Sequence, residues 1–271
     1  MAYDASQWEV LATAWREWEH LGMTISSLRP FLSDIKSPIL VIGAGQGIVV
    51  EALMQSGHEV VGVDGAQAMI TQAKKRRGID IKHALGQKLP FDDQSFTTVI
   101  LATGVLYANN PDTIPILTEA IRVLKVKGQL LAGFYLPSET TMSVCQEIGY
   151  MEGNLTQPKR LLEIWAADRN EARWVELVKA WKDCSQAEAT ECVERYHPLL
   201  YTAYADWERF AWRVREQGYD PKSIFQEIVN SPSSASSMEN CITLFSNQGL
   251  KTIETHWESE ISNLTLMGYK T

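Results

Sequence analysis

Long apolar runs are missing from this 271-residue chain. None approaches the roughly 20 residues that cross a bilayer, so no membrane partner is expected. A basic surplus is missing too. Lysine and arginine number 25 against 33 aspartates and glutamates, a net charge of −8. A general nucleic-acid binder needs a basic face to displace counterions, so no nucleic-acid partner is expected. Cysteine is scarce: Cys145, Cys184, Cys192 and Cys241 lie far apart with no CxxC pair. They read as reduced, apolar thiols, and no metal site is expected. Met1 to Trp15 hold acids and tryptophans where a secretory leader would need a basic patch and an apolar run. The expected location is therefore cytoplasmic. What is abundant is apolar side chain, 45% of the residues with 21% charged. That suffices for one or two ordinary domains without staples and is too apolar for a disordered chain.

Two textures divide the chain. Residues 38–136 alternate short apolar runs with helical patterns. Ile39–Ile42 is followed by glycines and a helical stretch from Ile48 to Ser56. Val60–Val63 ends at Asp64 and leads to a helix over residues 66–77 with Gly78 just past its end. Residues 79–84 form a weak third strand and residues 97–102 a strong fourth. A helix over 114–124 and a fifth strand over 129–135 complete the series. Strands alternating with helices imply right-handed crossovers and a parallel sheet. From residue 137 to about 235 strand signals vanish. Trp174, Leu177, Val178 and Trp181 share a helical stripe, as do Tyr204, Trp207, Ala211 and Val214. Ser236 and Glu239 then fit a capping box, and two strand-like runs, 252–257 and 264–269, form a closing hairpin. The expected domains are an N-terminal helical flap over 1–37, an α/β domain of 38–136 with 236–271, and a helical cap insertion over 137–235.

The segment richest in chemistry is Gly43-Ala-Gly45-Gln-Gly47, between a buried strand and a helix start. Gly43 permits a tight turn, Gly45 allows a ligand close to the backbone, and the helix start offers free N–H groups to it. Asp64 ends the next strand 21 residues after Gly43, a spacing that suits an acid accepting from ribose hydroxyls. The glycines could also serve the turn alone. A dinucleotide site wants GxGxxG, and here Ile48 occupies the third glycine's place, which points away from NAD.

With these residues the chain resembles the class I S-adenosylmethionine-dependent methyltransferases, in the branch of small-molecule and quinone methyltransferases. Gly43, Gly45 and Gly47 stand at that family's cofactor loop. Asp64 followed by Met69 matches its Asp-x-x-x-x-Met pattern, Leu89-Pro-Phe91 with Ser95-Phe96 its LPF-x-x-x-SF segment, and Glu119 to Lys125 with Gly128 its E-x-x-RVLK-x-x-G turn. The resemblance implies a Rossmann-like seven-stranded sheet, mostly parallel with an antiparallel last strand, and S-adenosylmethionine as cofactor. It implies Asp64 on the ribose and Met69 against adenine. Four positions depart from the pattern. Val41 replaces an acid near the methionine amino group, Leu85 an acid near the adenine amino group, Thr97 an aspartate, and Val126-Lys127 a Pro-Gly turn.

Methyl transfer to a small-molecule acceptor needs alignment in a dry pocket, and a base only when the acceptor is a weak nucleophile. The candidate catalytic residues are Tyr107, after the fourth strand, and Tyr201 and Tyr204 on the insertion. The candidate cofactor residues are Gly43, Gly45, Gly47, Asp64, Met69, Leu85 and Thr103. Tyr107 serves equally as a pocket wall, and the insertion's aromatics as its own core. Trp8, Leu11, Trp15 and Trp18 form a stripe that either packs on the fold or acts as a flap. Lys74 to Arg77 read as a helix end, where cations favour the dipole. The alternative to an enzyme is a degenerate methyltransferase fold that binds a ligand or protein without catalysis, which the missing acids at Val41 and Leu85 motivate. The acceptor and the oligomeric state are not legible.

Overall fold

Each apolar run between residues 38 and 136 becomes a strand, and each periodic stretch a helix. The computed structural model describes residues 25–106, 112–136, 237–258 and 263–271, with Trp8, Glu9, Ala12, Met23, Arg215, Glu216 and Gly218. The chain divides into two compact units, Met1–Leu136 with Pro232–Thr271, and Pro137–Ser231. Apart from Arg215, Glu216 and Gly218, the second unit lies outside the described residues, and the cap expected over 137–235 with it.

The first unit runs β1 (Ile39–Ile42), α1 (Ile48–Gln55), β2 (Val60–Asp64), α2 (Gln67–Arg77), β3 (Ile81–His83), β4 (Phe96–Leu101), α3 (Thr113–Val123), β5 (Leu124–Tyr135), α4 (Met238–Asn247), β6 (Leu250–Glu258) and β7 (Asn263–Lys270). The seven strands form one sheet in the order β3-β2-β1-β4-β5-β7-β6. β7 runs antiparallel to both β5 and β6, and the other pairs are parallel. This is the expected Rossmann-like fold, closed by the expected hairpin.

Alternation along the strands feeds two cores. Leu40 and Ile42 pack with Val99, Leu101, Leu130 and Leu266 on one face, beneath Leu117, Ala120 and Val123 of α3 and Phe245 of α4. Ile39 and Val41 join Ile100, Leu131 and Met267 on the other, beneath Val50 and Leu53 of α1, Ala73 of α2, and Leu28 and Phe31. Burying each such side chain contributes about 1.5–3 kcal/mol. Val41 is therefore a core residue, fully buried. On α4 the Cys241 thiol is buried, and burial pushes its pKa up to about 12, so it stays an inert thiol.

Two motifs of the sequence act as braces. Arg122 on α3 donates to both Glu119 oxygens (2.7 and 2.9 Å), to Asp93 (2.8 Å), and to the carbonyls of Phe91 (2.8 Å) and Leu89 (3.2 Å). Glu119 in turn accepts from the Leu89 N–H at 2.8 Å. The Leu-Pro-Phe loop is thus held on the end of α3. Lys270 caps the same helix, donating to the carbonyls of Ile121 and Leu124 at 2.6 Å each. Lys74 pairs with Asp80 and Arg77 with Glu51, so the basic quartet closes α2 as a braced helix end.

Most boundaries shift by a residue or two from the sequence reading, and two of the differences have a clear physical reason. The cap of α4 is Ser237, not Ser236. Its Oγ accepts from the Asn240 N–H at 3.1 Å, because Ser237 is the last extended residue before the helix. β5 begins at Leu124, straight from α3, instead of at Gln129. Leu124 pairs with Phe96, and a register shift then places Gln129 opposite Thr98. Lys127 within that bulge has φ +61°, the left-handed region that glycine favours.

Candidate active site

Parallel strands leave their carboxyl ends on one edge, where the polypeptide turns away and a crevice opens. Here it is lined by Ile42 and Gly43 after β1, Asp64 and Gly65 after β2, and Ala84, Leu85, Gly86 and Gln87 after β3. Gly104 and Val105 after β4, Asp112 and Ile116 at the start of α3, and Trp8 complete it. Gly43 has φ +68°, and a Cβ there would collide with the Val105 side chain, so only glycine brings the two loops this close.

Asp64 organises the centre. Its Oδ2 accepts the Gly45 N–H at 2.7 Å and its Oδ1 the Ala66 N–H at 2.9 Å. A carboxylate has about four acceptor positions, so capacity remains for a ligand's hydroxyls. Burial pushes the Asp64 carboxyl above the usual aspartate range, against the pull of the two N–H bonds, and the nearby Glu9 carboxylate adds to the rise. A half-buried acid whose charged form is disfavoured is what a donor-bearing ligand would relieve.

The other candidate cofactor residues are placed as follows. Gly45 has φ +53° and open space where a Cβ would point. Gly47 caps α1 with φ +86° and no side-chain cap, but its α-carbon faces Ala73, Ile79 and Ile81, the packing side of the loop. Leu85 is 51% exposed and lines the crevice as an apolar wall. Met69 is buried beside Ala12 and Ala66, with Trp8 packed on the same cluster, and does not line the crevice. Thr103 donates to Asn263 at 2.8 Å, passing over Gly133, where any side chain would collide with it. It ties the turn after β4 to β7. Tyr107, Tyr201 and Tyr204 lie outside the described residues. Trp8, Asp112 and Gln87 line the crevice without having been read as cofactor residues. Trp8 carried a signal in its tryptophan stripe, and Asp112 one as the acid just before a helix.

S-adenosylmethionine fits these donors and acceptors. Asp64 has acceptor capacity for a ribose, Gly43 and Gly45 leave the backbone approachable, and Ile42, Ala84, Leu85, Val105 and Ile116 offer apolar walls. Among the described residues no group of three or more side chains could hold a metal ion. No helix there is long and apolar enough to cross a membrane.

Comparison with known proteins agrees with this geometry. Residues 40–132 match the family model described as "Methyltransferase domain". The demethylmenaquinone methyltransferase of Clavibacter sepedonicus is 34% identical over 97 residues, which cover 34% of this chain and 39% of that protein. The ubiquinone biosynthesis O-methyltransferase of Maricaulis maris is 32% identical over 119 residues, covering 42% of this chain and 44% of its own length. The chain thus spans less than half the length of these curated relatives. A crystal structure of a SAM dependent methyltransferase from Aquifex aeolicus superposes with a TM-score of 0.52 at 11% identity, covering 99% of this chain and 100% of that one. That likeness is one of fold. Over residues 40–132 the chain is thus similar to a methyltransferase domain.

Proposed function

We propose that this chain, built on a methyltransferase domain, transfers a methyl group from S-adenosylmethionine to a small-molecule acceptor. The observation that carries the reading is Asp64. It is half-buried, held by the glycine turn's own N–H, with acceptor capacity turned toward a crevice at the sheet's carboxyl edge. When bound, S-adenosylmethionine supplies an activated methyl group for in-line displacement. The chain's task is to orient the reactants and exclude water. Asp64 accepts the ribose hydroxyls. Gly43, Gly45 and Gly47 shape the turn, Gly45 leaving its backbone open. Leu85 gives the base an apolar wall. Met69 supports that end from beneath, and Thr103 fixes the turn after β4.

The acceptor side of this reading belongs to Tyr107, Tyr201 and Tyr204, with a base required only for a weakly nucleophilic acceptor. Residues 137–235 are assigned acceptor selection as a helical cap, and residues 1–37 act as a flap. Relatives named for demethylmenaquinone methylation and ubiquinone biosynthesis support an apolar or aromatic acceptor. The acidic balance supports the absence of a nucleic-acid partner, and a cytoplasmic location belongs to the same reading.

The test is a thermal shift with S-adenosylhomocysteine. Ligand at 100 times its dissociation constant should stabilise the fold by about 2.7 kcal/mol. A shift with NAD(H) in its place would assign the crevice to a dinucleotide. Leu85 and Val41 favour a second reading, a binding module without catalysis, since neither supplies an acceptor to the cofactor's amino groups. No shift at millimolar S-adenosylhomocysteine, with the protein folded, would decide for it.

A further inference from the structure

Trp8 supplies the one aromatic ring among the described residues that line the crevice. It comes from a segment remote in sequence from every other lining residue, so something must hold it there. Three contacts do so. Glu9, its neighbour, accepts from the first N–H groups of α2, Gln67 at 2.5 Å and Ala68 at 2.8 Å. α2 has no side-chain cap of its own, since Ala66 occupies its N-cap. The Glu9 carboxylate therefore satisfies orphan donors and meets the positive end of the helix dipole. The Gln46 side chain, in the glycine turn, donates to the Ala12 carbonyl at 2.5 Å and is itself held by Arg76. Ala12 is fully buried against Ala66 and Met69, with Trp8 packed on the same cluster. The segment is pinned to both turns that frame Asp64: the glycine turn through Gln46, and the start of α2 through Glu9.

Resting on the cofactor reading above, we infer that Trp8 is an outer wall of the cofactor site and that Glu9 is its positioning residue. The walls the sheet provides near Asp64 are aliphatic or glycine, namely Ile42, Gly43, Ala84, Leu85 and Gly86. Among the described lining residues, a planar purine placed beyond the ribose gains a flat apolar partner only from the indole. With Leu85 giving no hydrogen-bond acceptor at that end, recognition of the base shifts from a polar contact toward packing against Trp8. Glu9 touches the helix start and not the crevice, so it acts through Trp8.

Calorimetric titration of S-adenosylhomocysteine into the full chain tests this, with unliganded thermal midpoints recorded alongside. The pH is chosen high enough that affinity no longer depends on the ionisation of Asp64. Trp8→Ala should weaken binding about tenfold, the scale expected for removing an aromatic packing partner, and Trp8→Phe should recover most of the loss. Glu9→Gln should weaken binding about threefold alone and add nothing in the Trp8→Ala background, the signature of a residue acting through another. The unliganded midpoints should fall modestly in Glu9→Gln and Trp8→Ala with the lost cap and packing, and affinities are compared where each variant is fully folded. Wild-type affinity in Trp8→Ala would overturn the wall. A Glu9→Gln loss that persists in the Trp8→Ala background would overturn the positioning role. If Trp8→Ala loses both midpoint and affinity, Trp8→Phe decides: affinity restored with the ring supports the wall, and affinity still lost overturns it. A wild-type chain that binds no S-adenosylhomocysteine overturns the cofactor reading itself, and this inference falls with it.

Discussion

Asp64 and Glu119 both belong to motifs that carry the family resemblance, and the protein treats them in opposite ways. Glu119 sits on α3, where both its oxygens accept from the Arg122 guanidinium and one also from Leu89. That partnership holds its carboxyl below the usual glutamate range. Asp64 sits at the end of β2 with two backbone donors and no cation bonded to it, and burial pushes its carboxyl the other way. The first carboxylate has its charge neutralised within the fold. The second carries a charge that the unliganded fold leaves poorly compensated. A matched motif can therefore be a brace, as Glu119 is, or an acid with acceptor capacity left over, as at Asp64, for which a ligand role is our proposal.

Removing each group should separate stability from binding. Arg122→Ala deletes five hydrogen bonds and leaves Glu119 without its cation. A loss of about 1.5–3 kcal/mol in unfolding free energy is expected by denaturant titration, with affinity for S-adenosylhomocysteine retained by the folded variant. Asp64→Asn should do the reverse. Affinity falls by about 1–3 kcal/mol, because ribose hydroxyls lose a charged acceptor. The unliganded midpoint should fall less than that of Arg122→Ala, since asparagine removes the charge that burial disfavours but leaves one of the two backbone N–H groups facing an amide donor. A large stability loss in Asp64→Asn, or a large affinity loss in Arg122→Ala, would erase the distinction.

Acid sharpens the same comparison. Glu119's depressed pKa contributes stability that is present above the unfolded-state value and lost as pH falls through the folded one, below the usual glutamate range. Asp64's raised pKa works oppositely: its favourable contribution is present below the unfolded value and lost as pH rises through the folded one. A ligand that donates to the carboxylate favours the ionised form, so S-adenosylhomocysteine affinity should decline on acidification at a pH above that of an ordinary aspartate. Protons should be released on binding in that window. Calorimetry in buffers of different ionisation enthalpy reads both effects. The acid limb should vanish in Asp64→Asn and persist in Arg122→Ala.

Much of this frame is legible in the sequence alone. Strands β1, β2 and β4 announce themselves as apolar runs, and Gly43 and Asp64 as their terminators, because each signal is local. What was not legible depends on contacts distant in sequence. Glu119 and Arg122 stood out only as a motif. Their work on Leu89 and Asp93 needs a loop some 30 residues away brought onto α3. Trp8 read as one member of a helical stripe. Its place at the crevice depends on Glu9 reaching a helix start 58 residues further on. Met69 matched a cofactor pattern, yet its side chain lies under Ala12 and Ala66, and no spacing rule says which face of α2 meets the N-terminal segment.

The smallest effect concerns backbone and lies in the bulge that the sequence reading placed outside β5. Lys127 has φ +61°, where a side chain crowds its own carbonyl at a cost of about 1–2 kcal/mol. Lysine stands there in place of the glycine of the family's Pro-Gly turn. Lys127→Gly removes that crowding but gives the unfolded chain more freedom to lose, worth about 0.4–1 kcal/mol. The net expectation is a gain of about 0.5–1 kcal/mol in unfolding free energy, with no change in S-adenosylhomocysteine affinity, since the bulge is remote from the lining residues. Lys125→Gly, two positions earlier in the same strand and without a positive φ, should lose about 0.5–1 kcal/mol from entropy alone. Opposite signs from two lysines of one strand, read by urea midpoints, would assign the difference to backbone geometry. The same sign in both would mean the left-handed residue carries no strain in solution.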